Sequence, residues 1–118
     1  MDKAQICLSF VIFLYISSEG SFMRVNASQG QWCVARPGTE KEKLEQLIQI
    51  FCRVVDCKII SEGGECYTPD NLINMASVAM NLYYQAKGRM PLTCQIGAAG
   101  YIAVTDPSYG NCIYEFKQ

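Results

Sequence analysis

The 118-residue sequence contains no histidine, and its seven cysteines include neither an adjacent pair nor a Cys-x-x-Cys pair. Without histidine, the usual base of a Ser or Cys nucleophile system is missing. Tetrahedral zinc sites draw on histidine or on close cysteine pairs, and the tightest spacing here, Cys52 to Cys57, suits neither. The lack of an adjacent cysteine pair also separates the chain from the eight-cysteine lipid-transfer proteins of plants. Charged residues make up 18% of the chain and the net charge is −1, with no cluster of Lys and Arg for a nucleic-acid phosphate backbone or a polyanionic sugar. The first predicted helix mixes charge signs, which does not fit a membrane-disrupting peptide. Internal repeats and low-complexity tracts are absent. These gaps point to a neutral ligand and to no cofactor or metal.

The longest apolar run, Ile6 to Ile16, follows Lys3 and falls short of the ~20 residues of a membrane-spanning helix. It reads as a secretory signal peptide. Val25-Asn26-Ala27 offers small residues for cleavage after Ala27, which gives a signal peptide over 1–27 and a mature domain over 28–118. The same cut would remove the asparagine of the sequon Asn26-Ala27-Ser28. Six cysteines remain in the mature part: Cys33, Cys52, Cys57, Cys66, Cys94 and Cys112. An even count in a chain bound for an oxidising compartment is the composition of a disulfide framework. Removing residues 1–27 takes two basic and two acidic residues, so the net charge is unchanged. A domain this small has a thin stability margin from core burial alone, which the disulfides offset.

Two helices are expected. Thr39 and Glu42 form a capping-box pattern, and behind it Leu44, Leu47, Ile48, Phe51, Cys52 and Val55 recur at helical spacing. Thr68-Pro69 marks the second start, followed by the stripe Leu72, Met75, Ala76, Ala79, Met80 and Tyr83, with Gly88 and Pro91 ending it. Tyr101 to Val104 and Cys112 to Phe116 are strand-like, and Asp106 to Gly110 between them has turn chemistry. The expected fold is a small disulfide-rich α+β domain of two packed helices and a two-stranded antiparallel sheet, read as a hairpin of these last two segments.

Glycoside hydrolysis needs two carboxyl groups facing each other across a cleft. Glu62, Glu65, Asp70 and Asp106 are available, but each has a plain structural role in a turn, a loop or a first helical turn. No catalytic residue is assigned. A neutral, hydroxyl-rich ligand calls instead for flat aromatic faces and for amide or carboxylate groups that hold pairs of hydroxyls. Asn81, Tyr84 and Gln85 share one helix face by their spacing of three and four residues, and they are expected at the ligand with Asp106 and Tyr109. Tyr83 belongs to the apolar stripe. Trp32 is a further ligand candidate, with cover of the neighbouring Cys33 disulfide as its alternative.

Several motifs occur together in order: Trp32-Cys33-Val34-Ala35, Asp56-Cys57, Gly63-Gly64-Glu65-Cys66-Tyr67, the run Ala76 to Gln85, and Thr105 to Cys112. In these the mature chain resembles the plant X8 domain, carbohydrate-binding module family 43. The resemblance implies non-catalytic binding of beta-1,3-glucan such as callose, and disulfides pairing Cys33 with Cys94, Cys52 with Cys57, and Cys66 with Cys112. It also implies a place in the apoplast or cell wall, plasmodesmal wall included, in the manner of small stand-alone secreted members such as an olive pollen allergen. The end at Gln118 carries no pattern for a GPI anchor, so a monomer without a membrane anchor is expected. The rival reading is a cell-wall interaction protein that keeps the fold and has lost the glucan. The chain departs from the family after Cys94, at Gln95 to Gly100, and in Met80, where Phe is common; the fold is expected to survive both.

Overall fold

The computed structural model describes residues 30–118; the signal peptide expected over 1–27 lies outside the described residues. Four elements organise the domain: β1 (Trp32–Ala35), α1 (Lys41–Phe51), α2 (Leu72–Ala86) and β2 (Gly100–Ala103). Short 3-10 turns lie at Lys58–Ile60, Pro91–Cys94 and Ile96–Ala98.

Helix α1 buries Leu44, Leu47 and Phe51, three positions of the expected stripe, against α2. Its N-terminus differs from expectation. The helix is capped at Glu40 with no side-chain bond, because the Thr39 hydroxyl donates backward to Arg36 O at 2.6 Å and is committed to the preceding turn. Helix α2 also begins later than Thr68-Pro69. Those residues form a turn closed by Asn71 N to Thr68 O at 2.7 Å, and Asn71 caps the helix by accepting from Asn74 N at 3.1 Å. Its C-terminus follows the sequence signal. Gly88 takes φ +74°, Gly88 N donates to Gln85 O and Arg89 N donates to Tyr84 O, the two bonds of a Schellman ending.

The sheet has two antiparallel strands, but β2 pairs with β1 and not with residues 112–116: Trp32 faces Ala103, and Ala35 faces Gly100. The expected hairpin therefore does not form as read. Residues 112–116 form no strand beyond a single bridge between Tyr109 and Cys112, and Tyr114 N and Glu115 O are taken up by side chains. β2 begins at Gly100, where a Cβ would lie 2.1 Å from Cys94 O and 2.7 Å from the Met80 methyl. Only a residue without a side chain permits that approach, and Met80 closes the space above it.

Helix α2 is the centre of the molecule, with α1 on one side and β1 and the C-terminal segment on the others. The disulfides are Cys33–Cys94, Cys52–Cys57 and Cys66–Cys112. The first ties β1 to the turn before β2. The second clips the end of α1, and the third fastens the C-terminal segment to the loop before α2. The two long links interleave along the chain.

Candidate functional site

Four polar residues of α2, Asn74, Ser77, Asn81 and Gln85, fall on one face at spacings of three and four residues, and all four are buried. Three of them serve the free edge of β1. Ser77 Oγ accepts from Ala35 N at 2.9 Å, Asn81 Oδ1 accepts from Cys33 N at 3.1 Å, and Gln85 Nε2 donates to Gln31 O at 2.8 Å. Alternate strand residues point their backbone groups the same way, so this row of side chains stands where a third strand would otherwise bond. The other side of the row holds the C-terminal segment: Asn81 Nδ2 donates to Glu115 O at 2.8 Å, and Gln85 Oε1 accepts from Lys117 N at 3.1 Å. Arg89 reinforces it, donating to Gln85 Oε1 at 3.0 Å and to Lys117 O, with its guanidinium 4.6 Å from the Phe116 ring centre.

This placement changes the reading of the expected ligand face. Asn81, Tyr84 and Gln85 do share a face, but it is the inward one: their exposures are 1%, 0% and 2%. Tyr84 donates from its hydroxyl to Gln31 Oε1 at 3.3 Å, and burial pushes its pKa up, against a lowering by Arg89. Tyr83, read from sequence as the core tyrosine, is only partly buried, packing on Phe51 at 4.7 Å and under the Lys87 ammonium at 5.6 Å. Tyr84 joins Tyr83 on the core side because α2 is covered on several sides, so its buried arc is wider than one apolar stripe. Trp32 is likewise buried, 5.3 Å from Phe116, with no partner for its Nε1 among the described residues.

Asp106 and Tyr109 remain at the surface. Asp106 Oδ1 accepts from Ser108 N at 2.9 Å and from Ser108 Oγ at 2.6 Å, and so closes its own turn. Tyr109 is 47% exposed. Beside this turn lies a shallow cleft of about 290 Å3 between β2, the start of α2 and the 106–114 loop, lined among others by Tyr101, Asn71, Asn74, Pro107 and Tyr114. Tyr101, which the sequence reading did not single out, is 40% exposed, with the Arg36 guanidinium 6.0 Å from its ring centre. Its position in a strand paired to β1 was the available signal: alternation along β2 turns Tyr101 outward when Gly100 is buried. A larger groove of about 670 Å3 has an apolar floor including Ile59, Val78, Leu82 and Ile113 and carboxylates Asp56, Glu62, Glu65 and Glu115 at its sides, with no aromatic residue in its lining. Among the described residues no group of three His, Cys, Asp or Glu could hold a metal ion, and no helix is long and apolar enough to cross a membrane.

Below the cleft, Tyr114 donates to Asn74 Oδ1 at 2.6 Å, and its pKa is raised to about 12, first by burial and then by Tyr109. A phenol whose folded pKa exceeds its unfolded value of 10.0 adds stability in full below pH 10 and loses it as pH rises through 12. The stability of the oxidised domain is therefore expected to fall between pH 10 and 12, and Tyr114→Phe to flatten that fall. Urea midpoints measured at pH 8, 10 and 11.5 for both proteins check it, and parallel curves would rule the contribution out.

Comparison with known proteins places this arrangement. The X8 domain family matches residues 31–101, which hold both strands and both helices except for the last two residues of β2. The chain is 45% identical over 85 residues to a Glucan endo-1,3-beta-glucosidase of Triticum aestivum, a match covering 72% of this chain and 18% of the relative. It is 38% identical over 84 residues to a Glucan endo-1,3-beta-D-glucosidase of Olea europaea, covering 70% and 18%. With Glucan endo-1,3-beta-glucosidase 1 of Arabidopsis thaliana it shares 33% identity over 106 residues, covering 88% and 21%. The chain thus spans about a fifth of the length of these relatives. With motifs, fold, disulfide pairing and matched residues all in agreement, the chain belongs to the X8 domain family.

Proposed function

We propose that the domain is a non-catalytic module that binds beta-1,3-glucan of the callose type in the plant cell wall, and that it acts as a secreted monomer after loss of residues 1–27. The observation that carries this reading is its membership of the X8 family through a match to one fifth of proteins named for the endo-1,3-beta-glucosidase activity. A module that such enzymes carry as about a fifth of their length suits the task of holding the polymer. Three disulfides fit an oxidising compartment outside the cell.

The cleft lined by Tyr101, together with Tyr109 held beside it through Asn74, is the preferred glucan surface. Pyranose rings present C-H groups that settle on aromatic faces, and the two exposed tyrosines offer such faces beside the Asn71 amide. Asp106 supports the surface by shaping its turn. Asn81, Gln85, Tyr84 and Trp32 act behind it, as the frame that holds β1 and the C-terminal segment.

Affinity electrophoresis of the oxidised protein tests this, in gels with a soluble beta-1,3-glucan, a beta-1,4-glucan or no glucan. Retardation is expected only with the beta-1,3 polymer. Tyr101→Ala and Tyr109→Ala are each expected to weaken it about 3- to 10-fold, the scale of one aromatic contact. No retardation with all three disulfides intact would favour the interaction-protein reading. Retardation unchanged in both variants but lost on Glu62→Gln and Glu65→Gln would move the site to the larger groove.

A further inference from the structure

We infer that Asn74 is a positioning residue that makes the Tyr109 phenol an outward-facing hydrogen-bond donor, so that the cleft selects a ligand presenting an acceptor oxygen, a sugar hydroxyl or ether, at that point. The inference rests on the glucan reading for its ligand, while its geometry stands within the protein alone.

The Asn74 amide is fully committed. Its Oδ1 accepts from the Tyr114 hydroxyl at 2.6 Å, and its Nδ2 donates to Thr68 Oγ1 at 3.2 Å and to Tyr109 Oη at 2.8 Å. The direction of these bonds is fixed by their neighbours. The Thr68 hydroxyl has carbonyl acceptors of its own, Asn71 O at 3.4 Å and Cys66 O at 3.5 Å, so toward Asn74 it acts as acceptor. Tyr109 Oη then accepts from an N-H, and among the described residues no group takes its proton. A phenol oxygen that receives one hydrogen bond from inside, on a ring half-exposed to solvent, turns its own O-H toward solvent or ligand.

The other end of Tyr109 is fixed as well. Its backbone exchanges two hydrogen bonds with Cys112, at 3.0 and 2.8 Å across a turn in which Gly110 takes φ +53°, and Cys112 is bonded to Cys66. Ring and hydroxyl are thus held before a ligand arrives, which lowers the ordering cost of binding. A neutral polyol suits this donor. A ligand offering only N-H groups at that point does not.

Two substitutions separate this role from simple support. Tyr109→Phe keeps the ring and removes the donor. Asn74→Asp replaces the amide by a group that only accepts, so the carboxylate draws the Tyr109 proton inward while still accepting from Tyr114. Each is expected to weaken binding to a soluble beta-1,3-glucan about 3- to 10-fold, the scale of one neutral hydrogen bond. The double variant is expected to bind no more weakly than Tyr109→Phe alone, because both changes remove one donor. Multiplied losses in the double variant, or full affinity in Tyr109→Phe, would overturn the inference. In the ligand-free protein, NMR is expected to show slowly exchanging Asn74 side-chain amide protons close to the Tyr109 ring. Rapid exchange with no such proximity would overturn the inference even if Asn74→Asp failed to fold. Wild-type protein that ignores the glucan but shows the protected amide would overturn the ligand and leave the positioning of Tyr109 standing.

Discussion

Replacing Cys33 and Cys94 by alanine is expected to leave the oxidised domain unfolded, or melting near room temperature, whereas replacing Cys52 and Cys57 is expected to leave it folded. The Cys33–Cys94 link spans 61 residues, and chain entropy assigns it about 4 kcal/mol; Cys52–Cys57 spans five, for about 2 kcal/mol. A domain of this size has a total stability on the order of 5 to 10 kcal/mol. Location widens the difference. Cys33 and Cys94 are 0% and 1% exposed at the centre of the core and join β1 to the turn that leads into β2, so their loss also leaves a cavity. Cys52 and Cys57 sit at the half-buried end of α1 and clip a segment that already has its own turn bonds. Far-UV circular dichroism melts of the two variants and of the parent check this ordering. A Cys33/Cys94 variant melting within a few degrees of the parent would show that packing, not the link, holds the sheet.

Asn81→Ala is the second large effect. Three polar groups lose their partner at once: Cys33 N, Glu115 O and the second proton of Gln85 Nε2, which lies 3.1 Å from Asn81 Oδ1. Each buried group left unpaired costs about 1 to 3 kcal/mol, and local water entry recovers part of it, so a loss of about 3 kcal/mol is expected. For a domain this small that lowers the melting temperature by roughly 12 to 24 °C. The informative contrast is with binding. A residue 1% exposed touches no polymer, so the folded fraction of Asn81→Ala is expected to keep the glucan affinity of the parent. Denaturant melts and affinity electrophoresis at low temperature read the two effects apart; unchanged stability with lost affinity would return Asn81 to the ligand.

The helices were legible in the sequence because their apolar spacing and the Gly88 stop are local signals. The disulfide pairing became legible only through the family resemblance. The sheet was half legible. Tyr101 to Val104 reads as a strand, but its partner Trp32–Ala35 is four residues long and buried throughout, so it lacks the alternation that marks a strand. Cys112 to Phe116 shows strand-like residues, yet Tyr114 and Glu115 are partnered by the side chains of Ser108 and Asn81, and Gln85 takes the following Lys117, which no local pattern announces. The burial of Asn81, Tyr84 and Gln85 was not legible for a related reason. Polar residues in a row on a helix read as a wet or ligand-facing surface, and here Ser77, Asn81 and Gln85 instead satisfy a strand edge. Gln95 to Gly100 lead from one turn through the next into β2 with the fold in place, and Gly100 is set closely against Cys94.

The interleaving of Cys33–Cys94 with Cys66–Cys112 has a mechanical consequence. If the domain were pulled from its two ends, the load would cross from Cys33 to Cys94 and reach Cys112 through the chain between them, leaving both helices outside the covalent line of force. Residues 94 to 112 extend to about 60 Å at most, against about 270 Å for an unlinked chain over residues 33–112. Under tension the oxidised domain is a short tether that can lose its β2 pairing but cannot pay out its helices, and the length it yields before the covalent limit is set by one segment.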